Sequence, residues 1–397
     1  MSGLKRYNYK LLLICTIFVF ISFIASFILN EDSLGGAFGD SKALEKYFFD
    51  FANNFKFTIS EYGVNNDVRN SPIFYIVISQ LVNIGFEIKY LKYLNIIFVF
   101  AIIFFFLKSL EIHYKNIKFD TKIFLLCTIA LSPTIRSLTI NPYPLLWAIT
   151  FFLISIYYFL KFQKLDIKDY KLKNAFFCII NLSIASYITP NFSVFFLFFW
   201  IKFFNEYKFS LKILSISIFS LLISLPALIF LIWKNFYIFY NSVSMEISFL
   251  EKFNFANKIV IISSIIFLFI LPIIKKTKID DISINFFKKK NFIFIFFYIT
   301  SIYFFDFKIG AGGGVFYQLS NLIFNSNSFL FFIFLISIFV FDLIKIYNFD
   351  NLLIFTILIL YNLQYTIYYK YFDPILLFIF LFLFKFNKNK IYEINAI

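Results

Sequence analysis

Asp40 follows a turn containing Gly35, Gly36 and Gly39 and opens the stretch Ser41 to Phe57, in which Leu44, Tyr47, Phe48 and Phe51 recur at helical spacing. A carboxylate in that place has two compatible readings. As a helix N-cap it would accept a backbone hydrogen bond. As a general base it would take a proton from an approaching hydroxyl, and capping would fix its position for that task. Downstream, Arg69-Asn70-Ser71-Pro72-Ile73-Phe74-Tyr75 places a proline where a helix begins, behind a polar residue that would cap it. Arg136 is the only basic residue between Lys122 and Lys161 and stands just before Asn141-Pro142-Tyr143-Pro144. An ionisable group at the end of an apolar segment reads as a functional candidate or as an interfacial anchor. Lys370 and Tyr371 sit in the aromatic run Tyr368 to Pro374, the composition of a helix end at an interface.

The elements that must hold these residues follow from composition. The 397 residues are 61% hydrophobic, 24% aromatic and 15% charged. A soluble domain has about 25% charged residues and needs polar side chains to cover its surface, so a soluble globular class is excluded. The expected class is an all-α, polytopic transmembrane bundle. Apolar segments near 11–29, 91–107, 123–135, 145–160, 175–188, 192–204, 213–232, 259–274, 291–305, 329–344, 352–364 and 375–386 predict about twelve spans in a single integral-membrane domain, 1–397. Cys15, Cys127 and Cys178 fall inside apolar runs, with no spacing for a metal site or a disulfide framework.

The net charge of +15 belongs to topology rather than to nucleic acid. With the N-terminus inside, the inner segments hold 25 of the 37 basic residues and 10 of the 22 acidic ones, as the positive-inside rule requires. This places both termini in the cytoplasm and the chain in the cytoplasmic membrane. The assignment requires that Pro72 to Phe86 does not cross, since a crossing there would invert every later loop. Residues 30–90 then form one large first outer loop with amphipathic interfacial helices, and 306–328 form a second outer loop containing the glycine-rich run Gly310 to Gly314.

The order of these features, a first span, an acidic outer loop with Asp before an amphipathic helix, and a proline-led aromatic helix, resembles the membrane glycosyltransferases of the GT-C superfamily. The resemblance is to the protein O-mannosyltransferase and aminoarabinose-transferase branch, which often reads Asp-Glu-x-x-Tyr and His-Pro-Pro-Leu-Tyr-Tyr at these two places. Asp40-Ser41-Lys42-Ala43-Leu44 and Asn70-Ser71-Pro72-Ile73-Phe74-Tyr75 keep the acid, one proline and the aromatic pair, but lack the second acid, the His and the first Pro. The branch often carries an Asp where this chain has Asn141. Lys370 and Tyr371 match a basic-Tyr-x-x-Pro element near the end of many such enzymes, with Lys in place of Arg.

The resemblance implies a sugar carried on a polyprenyl phosphate and transferred to a lipid, glycan or protein acceptor at the outer face. Asp40 would be the base, and Arg69, Arg136, Asn141, Lys370 and Tyr371 would bind the donor. Negative charge grows on the leaving phosphate as the glycosidic bond breaks, so cationic donors aimed there favour the transition state. No cofactor is implied and no divalent metal is required. A transporter or lipid flippase is the alternative. Such proteins carry ionisable residues at mid-span, whereas here eight acids, among them Glu31, Asp32, Asp40 and Glu61, gather in one loop.

Overall fold

The computed structural model describes residues 9–32, 37–64, 70–114, 117–164, 168–236, 254–274, 289–308, 312–343, 348–362 and 367–385; Arg69, the lysines from 275 to 288 and residues 309–311 of the glycine run lie outside them. Every regular element among the described residues is a helix, and each of the twelve predicted segments carries one. Four helical segments are long and apolar enough to cross a membrane: Tyr9–Leu29 (α1), Ile88–His113 (a short 3-10 turn running into α5, Leu91–His113), Leu145–Lys164 (α8) and Leu211–Trp233 (α11). Phe119–Ala130 (α6) and Pro133–Ile140 (α7) make a fifth if the pair, bent by 47°, counts as one span. The bend has a local cause. Pro133 has no N–H to continue the α6 ladder, and the Ser132 hydroxyl caps the new helix by accepting from Ile135 N at 3.3 Å.

The chain divides into two compact units, Met1–Met245 and Glu246–Ile397. In the first, α8 is the spine, packed against Lys168–Ile188 (α9) and α5. It is apolar all round, as a helix buried on every side must be. Phe152 stacks near Phe195 of Phe195–Tyr207 (α10) at 4.6 Å, and Phe159 near Phe199 at 4.9 Å. α1 and α11 are the opposite case. α1 fully buries only Ser26, and α11 only Ile213 and Ile216. Leu221, Leu222 and Ile229 of α11 are 62%, 58% and 58% exposed. Such faces would be costly in water, at about 25 cal/mol per Å² of apolar area, and cost nothing in hydrocarbon.

Polar contacts in this unit sort to the two ends of the helices. At one end Glu111 meets Lys108 at 3.1 Å and Lys122 at 3.7 Å, and Lys171 meets Glu206 at 2.6 Å. At the other end, the loop end, the segment between α1 and α5 folds into Ala37–Asn53 (α2), Phe55–Glu61 (α3) and Ile73–Asn83 (α4). α2 buries Tyr47, Phe48 and Phe51, the face expected from spacing. α4 covers that face, with Tyr75 5.7 Å from Tyr47 and Phe74 6.0 Å from Phe48. The eleven residues of α4 span about 16 Å, half the hydrocarbon thickness, and α4 is not among the helices long enough to cross by themselves.

The second unit is built around Phe255–Ile274 (α12), against which Gly314–Phe324 (α14) and Ser328–Leu343 (α15) pack; Lys289–Tyr303 (α13), Phe349–Tyr361 (α16) and Ile375–Phe382 (α17) complete it. Asp306 joins the start of α12, accepting from Asn257 Nδ2 at 2.7 Å while its backbone N–H donates to Asn257 Oδ1 at 3.0 Å. The glycine run has a fixed job where it is described. Gly312 has φ +99°, and a Cβ there would lie 2.8 Å from the Ile367 carbonyl oxygen, which also accepts from Gly313 N at 2.8 Å. Only glycine fits so close an approach in that conformation.

Candidate functional site

A cavity of about 640 Å³ lies at the loop end of the first unit. That is within the ~300–1,000 Å³ range of small-molecule sites. Its walls come from α3 (Ile59), the start of α4 (Ser71, Pro72, Ile73, Ile76), the ends of α9 and α10 (Ser183, Tyr187, Pro190, Phe196) and α11 (Ser220 to Leu231). No charged side chain is among the residues lining it. Four of its serine hydroxyls are turned back on their own helices: Ser183 donates to Ile179 O, Ser186 to Leu182 O and Ser220 to Ile216 O, each at 2.8 Å, and Ser224 to Leu221 O at 2.9 Å. With their protons committed, these serines present a smooth wall that can only accept.

Pro226 stands inside α11 on the cavity wall, where a missing N–H breaks the helical ladder. The Tyr187 phenol reaches across from α9 and donates to the Ile223 carbonyl at 2.5 Å, in the turn before the break. The carbonyl that Pro226 leaves without its helical donor is that of Leu222, so the Tyr187 bond ties α9 to α11 beside the break rather than filling it.

Beyond the lining residues Ile59 and Leu231, the last turn of α11 meets the end of α3. There Lys234, the C-cap of α11, is 5% exposed, and its ammonium donates to the Ser60 backbone carbonyl. It also lies 4.3 Å from the Trp233 ring centroid. Burial lowers the Lys234 pKa from its ordinary 10.5, and attraction to the Glu61 carboxylate partly offsets this. An ammonium has three donors, so one neutral carbonyl and a ring leave it short of compensation.

The residues singled out from sequence fall in several places. Ser71 and Pro72 of the proline-led motif line the cavity, and Ser71 Oγ accepts from Ile73 N at 3.3 Å. Asn70 and Tyr75 tie the motif together: Tyr62 donates to Asn70 O at 3.0 Å, and Asn70 Nδ2 to the Tyr75 hydroxyl at 3.0 Å. Arg69 lies outside the described residues. Asp40 is half-buried in the first turn of α2, outside the cavity lining. The helix starts earlier than the spacing implied, so Asp32 rather than Asp40 meets its opening N–H groups, accepting from Phe38 N at 3.3 Å. Asp40 still benefits there from the helix dipole.

Arg136 and Asn141 come together on Glu31, at the junction of α1 and α7. The Arg136 guanidinium meets the Glu31 carboxylate at 2.8 Å and also donates to Ser22, while Ser26 donates to the second Glu31 oxygen. Asn141 Nδ2 donates to Glu31 O at 3.3 Å and Ser137 O at 3.0 Å. Asn95 extends the network, donating to Thr139 O at 3.1 Å and accepting from Trp147 Nε1 at 2.9 Å. Lys370 and Tyr371 belong to the second unit, both buried, with the Lys370 ammonium 5.3 Å from the Tyr368 ring centroid. Beside them, burial and the Asp373 charge raise the Tyr369 pKa.

Sequence reasoning missed two residues. Glu31 was counted with the loop acids, although a carboxylate directly after the first span is the natural partner of an isolated Arg136. Lys234 ends a span that carries serines at 215, 217, 220 and 224 and a proline at 226, the pattern of a wall facing something other than bulk lipid. Among the described residues, no three His, Cys, Asp or Glu side chains gather as a metal-binding group. No family model, no curated protein and no solved structure matches the chain.

Proposed function

We propose that the chain is a membrane-embedded transferase that moves a sugar from a polyprenyl-phosphate carrier to an acceptor hydroxyl or amine at the outer face of the cytoplasmic membrane. Its helices would complete a bundle of about twelve spans with both termini inside, as in the GT-C glycosyltransferases it resembles. The observation that carries the reading is the uncharged cavity of about 640 Å³ at the loop end, walled in part by Ser71 and Pro72 of the resembling motif. A hydrocarbon carrier chain suits such a wall: mostly apolar, with the protons of Ser183, Ser186, Ser220, Ser224 and Tyr187 already committed.

In this reading Asp40 takes the proton of the acceptor, whose oxygen or nitrogen bonds to the anomeric carbon. The carbon–oxygen bond to phosphate breaks, and the polyprenyl phosphate leaves with the electron pair. Direct displacement inverts the anomeric centre. The resemblance proposes Arg69, Arg136 and Asn141 of the first unit as donor-binding residues, and separately Lys370 and Tyr371 of the second. A lone leaving phosphate is served by guanidinium and ammonium groups, so the chemistry asks for no divalent metal.

The test is transfer from labelled polyprenyl-phosphate sugars to a panel of lipid, glycan and peptide acceptors by the purified full-length protein. Asp40→Asn is expected to lower turnover by about 10²–10⁴-fold, the usual worth of a general base, with the protein still inserted. Turnover within about twofold of the parent would remove Asp40 from the mechanism. A reporter fused at residue 88 is expected to read the outer side, and a cytoplasmic signal there would overturn the topology. A lipid flippase is the second reading, favoured by Pro226 interrupting a span at the cavity wall. Movement of the intact lipid-linked sugar between leaflets of reconstituted vesicles, without transfer, would select it.

A further inference from the structure

The cavity and Lys234 together describe a ligand more narrowly than the cavity alone. The slot has no charged residue in its lining, and beyond that lining the buried Lys234 ammonium donates to Ser60 O, joining α11 to α3. Lys234 follows the lining residues Phe230 and Leu231 by one turn, and its acceptor Ser60 directly follows the lining residue Ile59. Arg136 in the same unit already pairs with a carboxylate at 2.8 Å, whereas among the described residues Lys234 hydrogen-bonds a neutral carbonyl and feels the Glu61 carboxylate only through longer-range attraction. A cation next to an apolar slot complements an anion that ends a hydrocarbon chain.

We infer that Lys234 anchors the phosphate of a long-chain phospholipid-type carrier whose hydrocarbon lies in the cavity between α4, α9, α10 and α11. The inference rests on the carrier-lipid reading above and adds to it the residue that holds the head group. A phosphate arriving there would give the ammonium an anionic acceptor in place of the neutral Ser60 carbonyl, adding charge–charge attraction to a hydrogen bond whose donor is already ionised. Hydrocarbon specificity would come from the walls, and discrimination between phosphate and alcohol from Lys234.

The experiment measures retention of three probes by the full-length protein in detergent, using mass spectrometry of the intact complexes: a polyprenyl phosphate, the matching polyprenol and inorganic phosphate. The parent is expected to retain the phosphorylated lipid about tenfold better than the alcohol and to show no retention of inorganic phosphate. Lys234→Met is expected to bring the phosphorylated lipid down to the level of the alcohol, and Lys234→Arg to keep the preference. Ala227→Phe, which fills the slot, is expected to lose both lipids. Equal preference in the parent and in Lys234→Met would overturn the assignment of Lys234 while leaving the carrier reading intact. Retention of neither lipid by the parent would overturn the carrier reading itself. Should Lys234→Met fail to fold, a loss of preference in Lys234→Gln or its persistence there decides the matter, with Lys234→Arg as the folded control.

Discussion

Two cations stand at the loop end of the first unit, and their surroundings are opposite. Arg136 is locked into a knot of Glu31, Ser22 and, through Glu31, Ser26 and Asn141, so its charge is neutralised by the chain itself. Lys234 is more deeply buried, and among the described residues it meets the Ser60 carbonyl and the Trp233 ring at hydrogen-bonding or ring-contact range, with the Glu61 carboxylate acting from farther away. The difference teaches how a charge compensated by a carboxylate within the fold differs from one that still bears most of its desolvation cost. The first is matched inside the protein; the second bears a desolvation cost that a visiting anion can relieve.

The sharpest way to break this comparison is by stability. Arg136→Met leaves the Glu31 carboxylate without its partner and is expected to cost about 3–5 kcal/mol, read as a fall in the thermal midpoint of the detergent-solubilised protein. Lys234→Met removes a desolvated charge together with a bond to a neutral carbonyl. These changes offset, so its stability is expected within about 1 kcal/mol of the parent. Equal losses in the two variants would erase the distinction. Next in size, Asn95→Leu strips acceptors from Trp147 and donors from Thr139 O and is expected to cost about 1–3 kcal/mol in the same assay. A neutral result would mean that the Arg136 side of the loop end is not one connected network.

Smaller still, Tyr187→Phe deletes one hydrogen bond beside the α11 break and is expected to cost about 0.5–1.5 kcal/mol while leaving Arg136 variants additive with it. The finest test is pH. The folded pKa of Lys234 lies below the ordinary 10.5 through burial, so between the two values the unfolded chain holds more protons and stability rises with pH. Below both values the cost is fully present, and above both it is gone. Retention of the phosphorylated lipid runs the other way, falling as the ammonium loses its charge in that window. Lys234→Met is expected to flatten both slopes, as equilibrium unfolding and lipid retention across alkaline pH would record.

Much of the frame was legible in the sequence because it depends on local pattern. Apolar runs became helices where expected, and the α2 face followed from Leu44, Tyr47, Phe48 and Phe51. The start of α2 was misjudged because Asp32 and Asp40 are both able caps, and only the path of the chain between them decides which one meets the helix. The site was less legible because its walls are brought together from segments more than 150 residues apart, Ile59 to Leu231. Nothing local marks Ser220 or Ser224 as neighbours of Pro72. The Glu31–Arg136 pair, 105 residues apart, was hidden for the same reason.

α1 touches its neighbours along a narrow stripe and is fastened at its loop end by Ser22, Ser26 and the residue five places beyond Ser26. Fatty acyl tails cannot tell leucine from phenylalanine, so the outward letters of α1 carry almost no information. This helix is in effect a ruler with a clasp at one end: its reach and its clasp are under physical constraint, while its spelling elsewhere is free to drift.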